Sequence, residues 1–421
     1  MLWIGLAIFF ILLILGSPVW LSLGLSGGIL AFVFLELPLE AIISQFLIAT
    51  DKWILLAIPY FLLAGNLMTH LGTANRMIFF VNNAIGHLPG GMPAAAIVTA
   101  TIFGALSGSA TATVVAVGSM MIPQMVKLGY SKQNSMGVVA SAGTLGQMIP
   151  PSIYMIIYAA MVQIDVSELF LAGIIPGIFI AVVLIITSII VSLKDEKQRK
   201  PKSSTKEVFK SFMEALPSLL MPVLVLGGIY KGLFTPTEAA AVSVVYVLLI
   251  SFIFNRDKFT VENLKVSVYG TVVTTTVIYL LLGGATLFST ALTYARVPQQ
   301  ITEYVSQISL PAGAVMLLIL GLFLVFGMFL DAVPILYITI PILYPAVLAL
   351  GYDPIHFGIL TIACMMISQI TPPVGLSLFV VSGHFKEPIS VVIRGTLPYL
   401  VALIIATLIL LYVPWLSTAL L

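Results

Sequence analysis

Long apolar stretches run through most of this chain, and short polar or glycine- and proline-rich segments separate them. Many of the apolar stretches approach the roughly 20 residues that an α-helix needs to cross a bilayer. A membrane β-barrel would instead show short segments of alternating polarity. The pattern therefore predicts an all-α protein that crosses the membrane many times.

The helix breakers of the first half recur in the second half. Ile149-Pro150-Pro151 returns as Thr371-Pro372-Pro373, an offset of 222 residues. At the same offset, Leu128-Gly129-Tyr130 returns as Leu350-Gly351-Tyr352. A duplicated apolar unit with breakers at matching positions is typical of secondary transporters, and the breakers indicate where the solute binds.

A basic segment near the middle of the chain separates the two repeats. We predict a first repeat at residues 1–193, a linker at residues 194–210 and a second repeat at residues 211–421. The linker carries seven basic residues: Lys194, Lys197, Arg199, Lys200, Lys202, Lys206 and Lys210. Basic loops stay on the cytoplasmic side of a membrane, so we expect the linker to be cytoplasmic.

The two repeats are predicted to lie inverted relative to each other. Each holds apolar stretches for five crossings, plus one segment that enters the membrane and returns. Because five is odd and the linker lies inside, the repeats are inverted and both chain ends lie outside. Fifteen of the 18 Lys and Arg residues then fall inside or near the inner helix ends, in agreement with the positive-inside rule.

Residues 92–125 and 311–345 are too long for one crossing, and both are interrupted in the middle. The first interruption is rich in small and hydroxyl residues around Ser107-Gly108-Ser109, and the second contains Asp331. Each segment is better explained as a re-entrant hairpin with two arms of about 15 residues, because each arm alone is too short to cross.

Two further helices, at residues 133–162 and 354–383, are predicted to be interrupted at their Pro-Pro pairs. Backbone groups that a helix does not pair cannot face lipid, so these breaks and the hairpin tips must be buried against protein or line a wet cavity. There, free carbonyl and hydroxyl oxygens are hard ligands that suit Na⁺. We therefore predict one Na⁺ site in each repeat.

The predicted ligands of each Na⁺ come from one hairpin tip and one broken helix. The first site takes Ser107, Gly108, Ser109, Gly143, Thr144, Gly146 and Pro150. The second site takes Asp331, Ser368, Gln369, Thr371 and Pro372. The solute is expected between the two tips, within reach of Thr111, Ser152, Asp331 and Gly375.

Neither the tips nor the helix breaks contain Lys or Arg. An anionic solute would therefore have to be held by helix N-termini, hydroxyl groups and bound Na⁺. Coupling to a cation is physically sensible, because the ion offsets the charge of the solute inside the membrane. We therefore expect Na⁺ to drive the uptake of a small organic anion.

Each of these features also has a simpler interpretation. Ser107-Gly108-Ser109-Ala110 could be a contact between helices that pack closely through small residues. Either Pro-Pro pair could be a kink, and Asp331 could lie at the membrane surface if the second hairpin is shallow. Gln147 and Gln369, at matching positions, could only cap broken backbone.

Composition and motifs narrow the class of protein. The net charge of +2 gives no indication of nucleic-acid binding. The sequence contains no Walker loop, no His-Glu-x-x-His motif and no Gly-x-Ser-x-Gly elbow. We therefore expect transport driven by an ion gradient, and we do not expect the protein to be an enzyme.

Taken together, the motifs resemble the large membrane (M) subunit of tripartite ATP-independent periplasmic (TRAP) transporters, a DctM-like family, over nearly the whole chain. The resemblance is carried by Phe103-Gly104-Ala105-Leu106-Ser107-Gly108-Ser109-Ala110, by residues 143–152, by Asp331-Ala332-Val333-Pro334, by Leu350-Gly351-Tyr352-Asp353-Pro354 and by Thr371-Pro372-Pro373-Val374-Gly375. It implies an inverted-repeat, elevator-type transporter of the bacterial inner membrane with both termini periplasmic. In this mechanism, hairpins and broken helices slide against a scaffold.

The resemblance also implies partners. A periplasmic substrate-binding protein would deliver the solute, typically a sialic acid or a C4-dicarboxylate, and a small membrane subunit would brace the large one. No helices precede Met1 that could act as this subunit, so we expect it to be a separate chain. Two alternatives stay open: a stand-alone Na⁺/dicarboxylate symporter, and a channel or non-transporting scaffold subunit.

Overall fold

The computed structural model describes residues 2–192, 200–307 and 310–421, and these parts of the chain are helical without any β-strand. The first ten helices are α1 (Leu2–Ile14), α2 (Val19–Ile29), α3 (Leu39–Thr50), α4 (Ala57–His70), α5 (Thr73–Ile85), α6 (Gly91–Ser107), α7 (Ala110–Lys127), α8 (Lys132–Gly143), α9 (Ile153–Val162) and α10 (Val166–Ser192). The other ten are α11 (Thr205–Tyr230), α12 (Pro236–Phe254), α13 (Val261–Tyr294), α14 (Val297–Gln307), α15 (Ala312–Gly327), α16 (Ala332–Ala349), α17 (Pro354–Ser368), α18 (Leu376–Phe385), α19 (Ile389–Tyr412) and α20 (Trp415–Thr418).

Seven helical segments in the described parts of the chain are long and apolar enough to cross a membrane: Trp53–His70, Val166–Ser192, Thr205–Tyr230, Pro236–Phe254, Val261–Tyr294, Ala332–Ala349 and Ile389–Tyr412. Several shorter apolar helices lie between them. The protein is therefore an all-α, multi-span membrane protein, as the apolar pattern predicts. The inverted orientation of the repeats stays a prediction.

The unusual segments of both repeats form pairs of short helices. The pair α6–α7 covers the first predicted hairpin, and α15–α16 covers the second. The first predicted broken helix is α8, a 3₁₀ turn at Thr144–Gln147 and then α9, while the second is α17 followed by α18. Both Pro-Pro bonds, Pro150-Pro151 and Pro372-Pro373, are cis. Each half of the chain therefore has a Pro-Pro pair at the point where its broken helix is interrupted.

One element boundary differs from the sequence prediction. Helix α11 begins at Thr205, inside the predicted linker, because Ser204 and Glu207 form a capping box that starts the helix there. In the second half, helix α13 begins at Val261 and runs unbroken for 34 residues. Linker residues 194–199 lie outside the described residues.

Long helices from both halves pack against one another beside the hairpins. Helix α2 packs along α13, and its counterpart α12 packs along α4. Helices α4 and α13 also touch each other, and α13 reaches the second hairpin through α16. The first hairpin therefore packs on this pair through α4, and the second packs on it through α13.

A candidate solute and cation site between the hairpin tips

The first hairpin tip is a two-residue turn that needs glycine. Helix α6 ends at Ser107, and α7 begins at Ala110 with Ser109 as its N-cap. Between them Gly108 has a φ of 59°, a left-handed conformation that side chains disfavour. A Cβ at Gly108 would also lie 3.4 Å from the Ile153 nitrogen, where the first broken helix resumes. The tip and the break are therefore direct neighbours.

Hydroxyl groups hold the first tip together. The Thr113 hydroxyl donates to the Ser109 carbonyl oxygen over 2.7 Å, and the Ser107 hydroxyl lies 3.1 Å from that of Thr113. The Ser109 and Thr111 hydroxyls are also 3.1 Å apart. Ser107 and Thr113 are buried. The tip is thus a compact group of neutral oxygens, which are hard ligands of the kind Na⁺ prefers.

The first break packs tightly against this hairpin. A Cβ on Gly104 would lie 2.5 Å from the Cα of Gly146, so the two backbones touch there. Gly143 contacts Val114 of α7 in the same way. The Thr144 hydroxyl donates to Ser141 O at 2.8 Å and so bonds within its own helix. All predicted ligands of the first site therefore lie in one buried region, with Pro150 at its far end.

The second tip carries a carboxylate. Helix α15 ends at Gly327 and α16 begins after Asp331, whose side chain makes no capping bond to the described first turn of its helix. Instead, Asp331 Oδ1 accepts a hydrogen bond from Gln369 Nε2 at 3.1 Å, and Gln369 Oε1 accepts one from Ser377 at 3.2 Å. Two consecutive hydrogen bonds between side chains therefore connect the second tip to the second break.

Backbone contacts join the second tip and break as well. A Cβ on Gly327 would collide with the Ser368 side chain, and the Val374 amide donates to the Met328 carbonyl oxygen at 3.1 Å. The hydroxyls of Ser368 and Thr371 donate to Met365 O and Ile367 O, the carbonyls of their own helix, at 2.8 and 2.7 Å. The lone pairs of these two hydroxyl oxygens stay available to a cation. Pro372, the last predicted ligand, is the residue after Thr371.

A cavity of about 260 Å³ lies between the two tips. Its lining residues are Leu62, Gly108, Ser109, Thr111, Ile153, Tyr154, Val273, Thr274, Val277, Ile278, Leu281, Asp331, Val333 and Leu376. Both hairpins, both broken helices, α13 and Leu62 of α4 contribute to this lining. The structure therefore brings together the elements that the sequence predicted to surround the solute.

The four predicted solute residues do not all reach the cavity. Thr111 and Asp331 line it, whereas Ser152 and Gly375 each lie one residue before a lining residue. Ser152 is fully buried, and its hydroxyl donates to the Gln147 carbonyl oxygen at 2.5 Å while it caps α9. Gly375 has a φ of 51°, so it forms the turn into α18. Both residues shape the break that borders the cavity.

Sequence reasoning missed the contribution of α13. Thr274 of α13 lines the cavity. A signal was present, because Thr271, Thr274, Thr275 and Thr276 crowd one apolar crossing. Tyr154 was missed too, since nothing in one sequence distinguishes its ring from an ordinary buried aromatic residue.

The charges of the site are sparse. Among the described residues that line the cavity, Asp331 is the only charged one. The described part of the chain contains no group of three or more His, Cys, Asp or Glu that could hold a metal ion. A cation bound here would therefore depend on hydroxyl and carbonyl oxygens, with one carboxylate in the second half, and this donor set fits Na⁺ better than a transition metal.

Gln147 differs from its counterpart Gln369. Its side chain is completely buried, and neither its amide nitrogen nor its amide oxygen has a hydrogen-bond partner among the described residues. A buried amide without partners costs free energy. The first break therefore contains a side-chain amide without hydrogen-bond partners among the described residues, whereas the matching amide in the second break has partners.

The fold is shared with a solved membrane protein. It matches the structure of the YdaH transporter of Alcanivorax borkumensis with a TM-score of 0.64 and 13% sequence identity, covering 90% of this chain and 88% of that one. The model of the family described as "Tripartite ATP-independent periplasmic transporter, DctM component" matches residues 6–416, and the chain belongs to this family. The resemblance carried by the hairpin and break motifs is thereby confirmed.

Three relatives show how far the similarity extends. The chain is 40% identical to the C4-dicarboxylate TRAP transporter large permease protein of Pseudomonas aeruginosa, covering 95% of this chain and 93% of the relative. It is 36% identical to the ectoine TRAP transporter large permease protein of Halomonas elongata, covering 96% and 95%. Identity is also 36% to the sialic acid TRAP transporter large permease protein of Vibrio cholerae, covering 96% and 93%.

Proposed function

We propose that this chain is the solute-carrying membrane subunit of a transporter that imports a small organic anion across the inner membrane, driven by Na⁺. A periplasmic substrate-binding protein would deliver the solute, and a small membrane subunit would support the large one. Family membership supports both partners. The relatives are named for a dicarboxylate, a sialic acid and ectoine, so the proposal covers the sialic acid and C4-dicarboxylate classes and not one compound.

The observation that carries this proposal is the cavity between the two tips. Its walls come from both halves of the chain, and each tip is packed against a broken helix. Backbone at these breaks is free to offer carbonyl oxygens beside the cavity. A cation bound in each break would stiffen the adjoining tip and bring positive charge next to an anionic solute. Solute and ion would then bind together.

The proposed movement is of the elevator type. The two hairpins and two broken helices would move as one body and carry the solute past α13, which also lines the cavity. The α13 residues Val273, Val277 and Leu281 in this lining are apolar and would form no polar contacts that oppose such sliding. The two termini would lie in the periplasm.

The decisive test is uptake by purified protein in liposomes. The large and small subunits are reconstituted, the binding protein is added outside, and accumulation of radiolabelled sialic acid or succinate is followed with and without an inward Na⁺ gradient. We expect concentrative uptake that needs both the gradient and the binding protein. Uptake that ignores the binding protein would favour a stand-alone symporter, and equilibration without accumulation would favour a channel.

Two variants test the Na⁺ sites themselves. Ser107→Leu and Thr371→Leu place bulky apolar groups in the first and second break regions, where both native residues are buried. We expect both variants to insert into the membrane but to lose Na⁺-driven uptake. Ser119→Leu, on the exposed face of α7, is the matched control. Normal Na⁺ dependence in either test variant would contradict the placement of the sites.

A further inference from the structure

A groove far from the hairpin tips gathers three basic side chains. It lies where α5, α11 and α12 meet, and its cavity is about 470 Å³. Arg76 of α5 lines it together with Lys206 and Lys210 of α11. Glu214 is the only acidic side chain among the described residues that line it. We refer to these residues and the three apolar ones described next as the basic groove.

The basic groove continues into an exposed apolar surface. Phe209, Met213 and Phe254 also line it, and they are 65%, 49% and 49% exposed. All three belong to α11 and α12, which are apolar enough to span the membrane. Large apolar side chains this exposed on spanning helices face acyl chains. The groove is thus basic at one end and apolar beside it. This arrangement complements a phospholipid, which has an anionic phosphate next to apolar acyl chains.

Contacts hold Arg76 in place, but the positive charge of the groove is not neutralised. The Arg76 guanidinium donates to the Phe254 carbonyl oxygen and lies 5.8 Å from the centre of the Phe254 ring. Lys210 Nζ is 3.9 Å from Glu214 Oε1, but both side chains are exposed, and such pairs contribute little. Three cations against one carboxylate leave a surplus positive charge at the place where the apolar surface begins.

We propose that the basic groove binds an anionic phospholipid of the cytoplasmic leaflet, such as phosphatidylglycerol. Arg76, Lys206 and Lys210 would contact the phosphate, since guanidinium and ammonium groups between spanning helices bind such headgroups. The acyl chains would lie along Phe209, Met213 and Phe254. Because α5 directly precedes the first hairpin and packs on α11, this lipid would fasten that connection to α11 and α12.

Binding can be measured by native mass spectrometry and thermal stability of the purified permease in a zwitterionic detergent, titrated with short-chain phosphatidylglycerol or phosphatidylcholine. We expect phosphatidylglycerol to bind and to stabilise, and phosphatidylcholine to do neither. The double variant Lys206→Gln/Lys210→Gln should bind phosphatidylglycerol about thirtyfold more weakly, at roughly fivefold per lost cation. The control Lys127→Gln/Lys265→Gln removes the same charge from exposed positions outside the groove and should bind normally.

Two further arms separate a lipid from a free anion. Inorganic phosphate alone should not stabilise the protein, and Phe209→Ser should weaken binding of phosphatidylglycerol while it leaves all three cations in place. Equal binding of the two lipids, full binding by the lysine double variant, or full protection by inorganic phosphate would each overturn the proposal. Arg76→Lys keeps the charge and tests whether the guanidinium itself is needed, and we expect intermediate binding.

Discussion

The two hairpin tips share a backbone design but differ in their polar groups. In both halves the last turn of the first hairpin arm contains a glycine that packs against the neighbouring break: Gly104 against Gly146, and Gly327 against Ser368. The first tip then offers only hydroxyls, whereas the second offers the carboxylate of Asp331. Both halves therefore show the close approach of tip and break, while the polar groups at the two tips differ.

This difference suggests unequal tasks for the two halves. Neutral oxygens bind a cation without adding charge, so the first half is suited to an ion that stays close to an anionic solute. A carboxylate binds a cation more strongly but repels an anion, and at Asp331 the Gln369 donor and the proposed Na⁺ would offset its charge. We therefore expect the second half to contribute more to Na⁺ affinity than the first.

The largest effect should come from breaking the feature that the halves share. Gly104→Ala and Gly327→Ala each force a Cβ into the facing break, at a cost of about 1–3 kcal/mol of stability, and separate tip from break. We expect near-complete loss of Na⁺-driven uptake, together with a lower melting temperature in detergent. Gly321→Ala on α15 is the matched control, because a Cβ there meets no described atom within 4 Å. If either test variant transports like the control, close packing of that glycine against the break is not needed for Na⁺-driven uptake.

The next largest effect should fall on one half only. Asp331→Asn keeps the shape of the second tip but removes its charge, and we expect the Na⁺ concentration for half-maximal uptake to rise about 10- to 100-fold, as for loss of a charged hydrogen-bonding group. Asp353→Asn is the control, because Asp353 caps α17 through the Ile355 and His356 amides and asparagine caps equally well.

The first-half counterpart of this variant is Ser109→Ala. It removes one neutral hydroxyl from the first tip, and we expect a severalfold rise in the same Na⁺ concentration. An equal rise for Asp331→Asn and Ser109→Ala would show that the carboxylate has no special part, and the proposed division of tasks would then be wrong.

The two glutamines allow a sharper comparison on stability. Gln369→Leu leaves the Asp331 carboxylate without its donor and should cost about 1–3 kcal/mol. Gln147→Leu removes an amide that has no partner among the described residues, so it should leave thermal stability unchanged or raise it. Both are measured by thermal unfolding in the same detergent. A large loss of stability in Gln147→Leu would mean that a water molecule, an ion or the solute satisfies this amide in the working transporter.

The paired hairpins and broken helices could be predicted from the sequence, because they depend on the lengths of the apolar segments and on the positions of helix breakers. Residues 92–125 combine a length beyond one crossing with a central run of small and hydroxyl residues, and the Pro-Pro pairs stand where helices are interrupted in both halves. Which side chains meet across the cavity depends on how separate helices pack, and a single sequence carries little trace of that. For this reason the pairing of Asp331 with Gln369 and the wall formed by Thr274 of α13 emerge only from the fold.

The smallest effect should come from a single hydroxyl of the cavity wall. Thr111 lines the cavity, and its hydroxyl lies 3.1 Å from that of Ser109, so Thr111→Val removes one neutral hydrogen-bonding group without changing shape. We expect KM for the solute to rise about 2- to 10-fold, with little change in the maximal rate or in the Na⁺ dependence. Thr101→Val on α6 is the control, since that hydroxyl donates to the Ile97 carbonyl oxygen within its own helix. A change in Na⁺ dependence with unaltered KM would move Thr111 from the solute site to the first cation site, and would bring the two halves closer in function than their tips suggest.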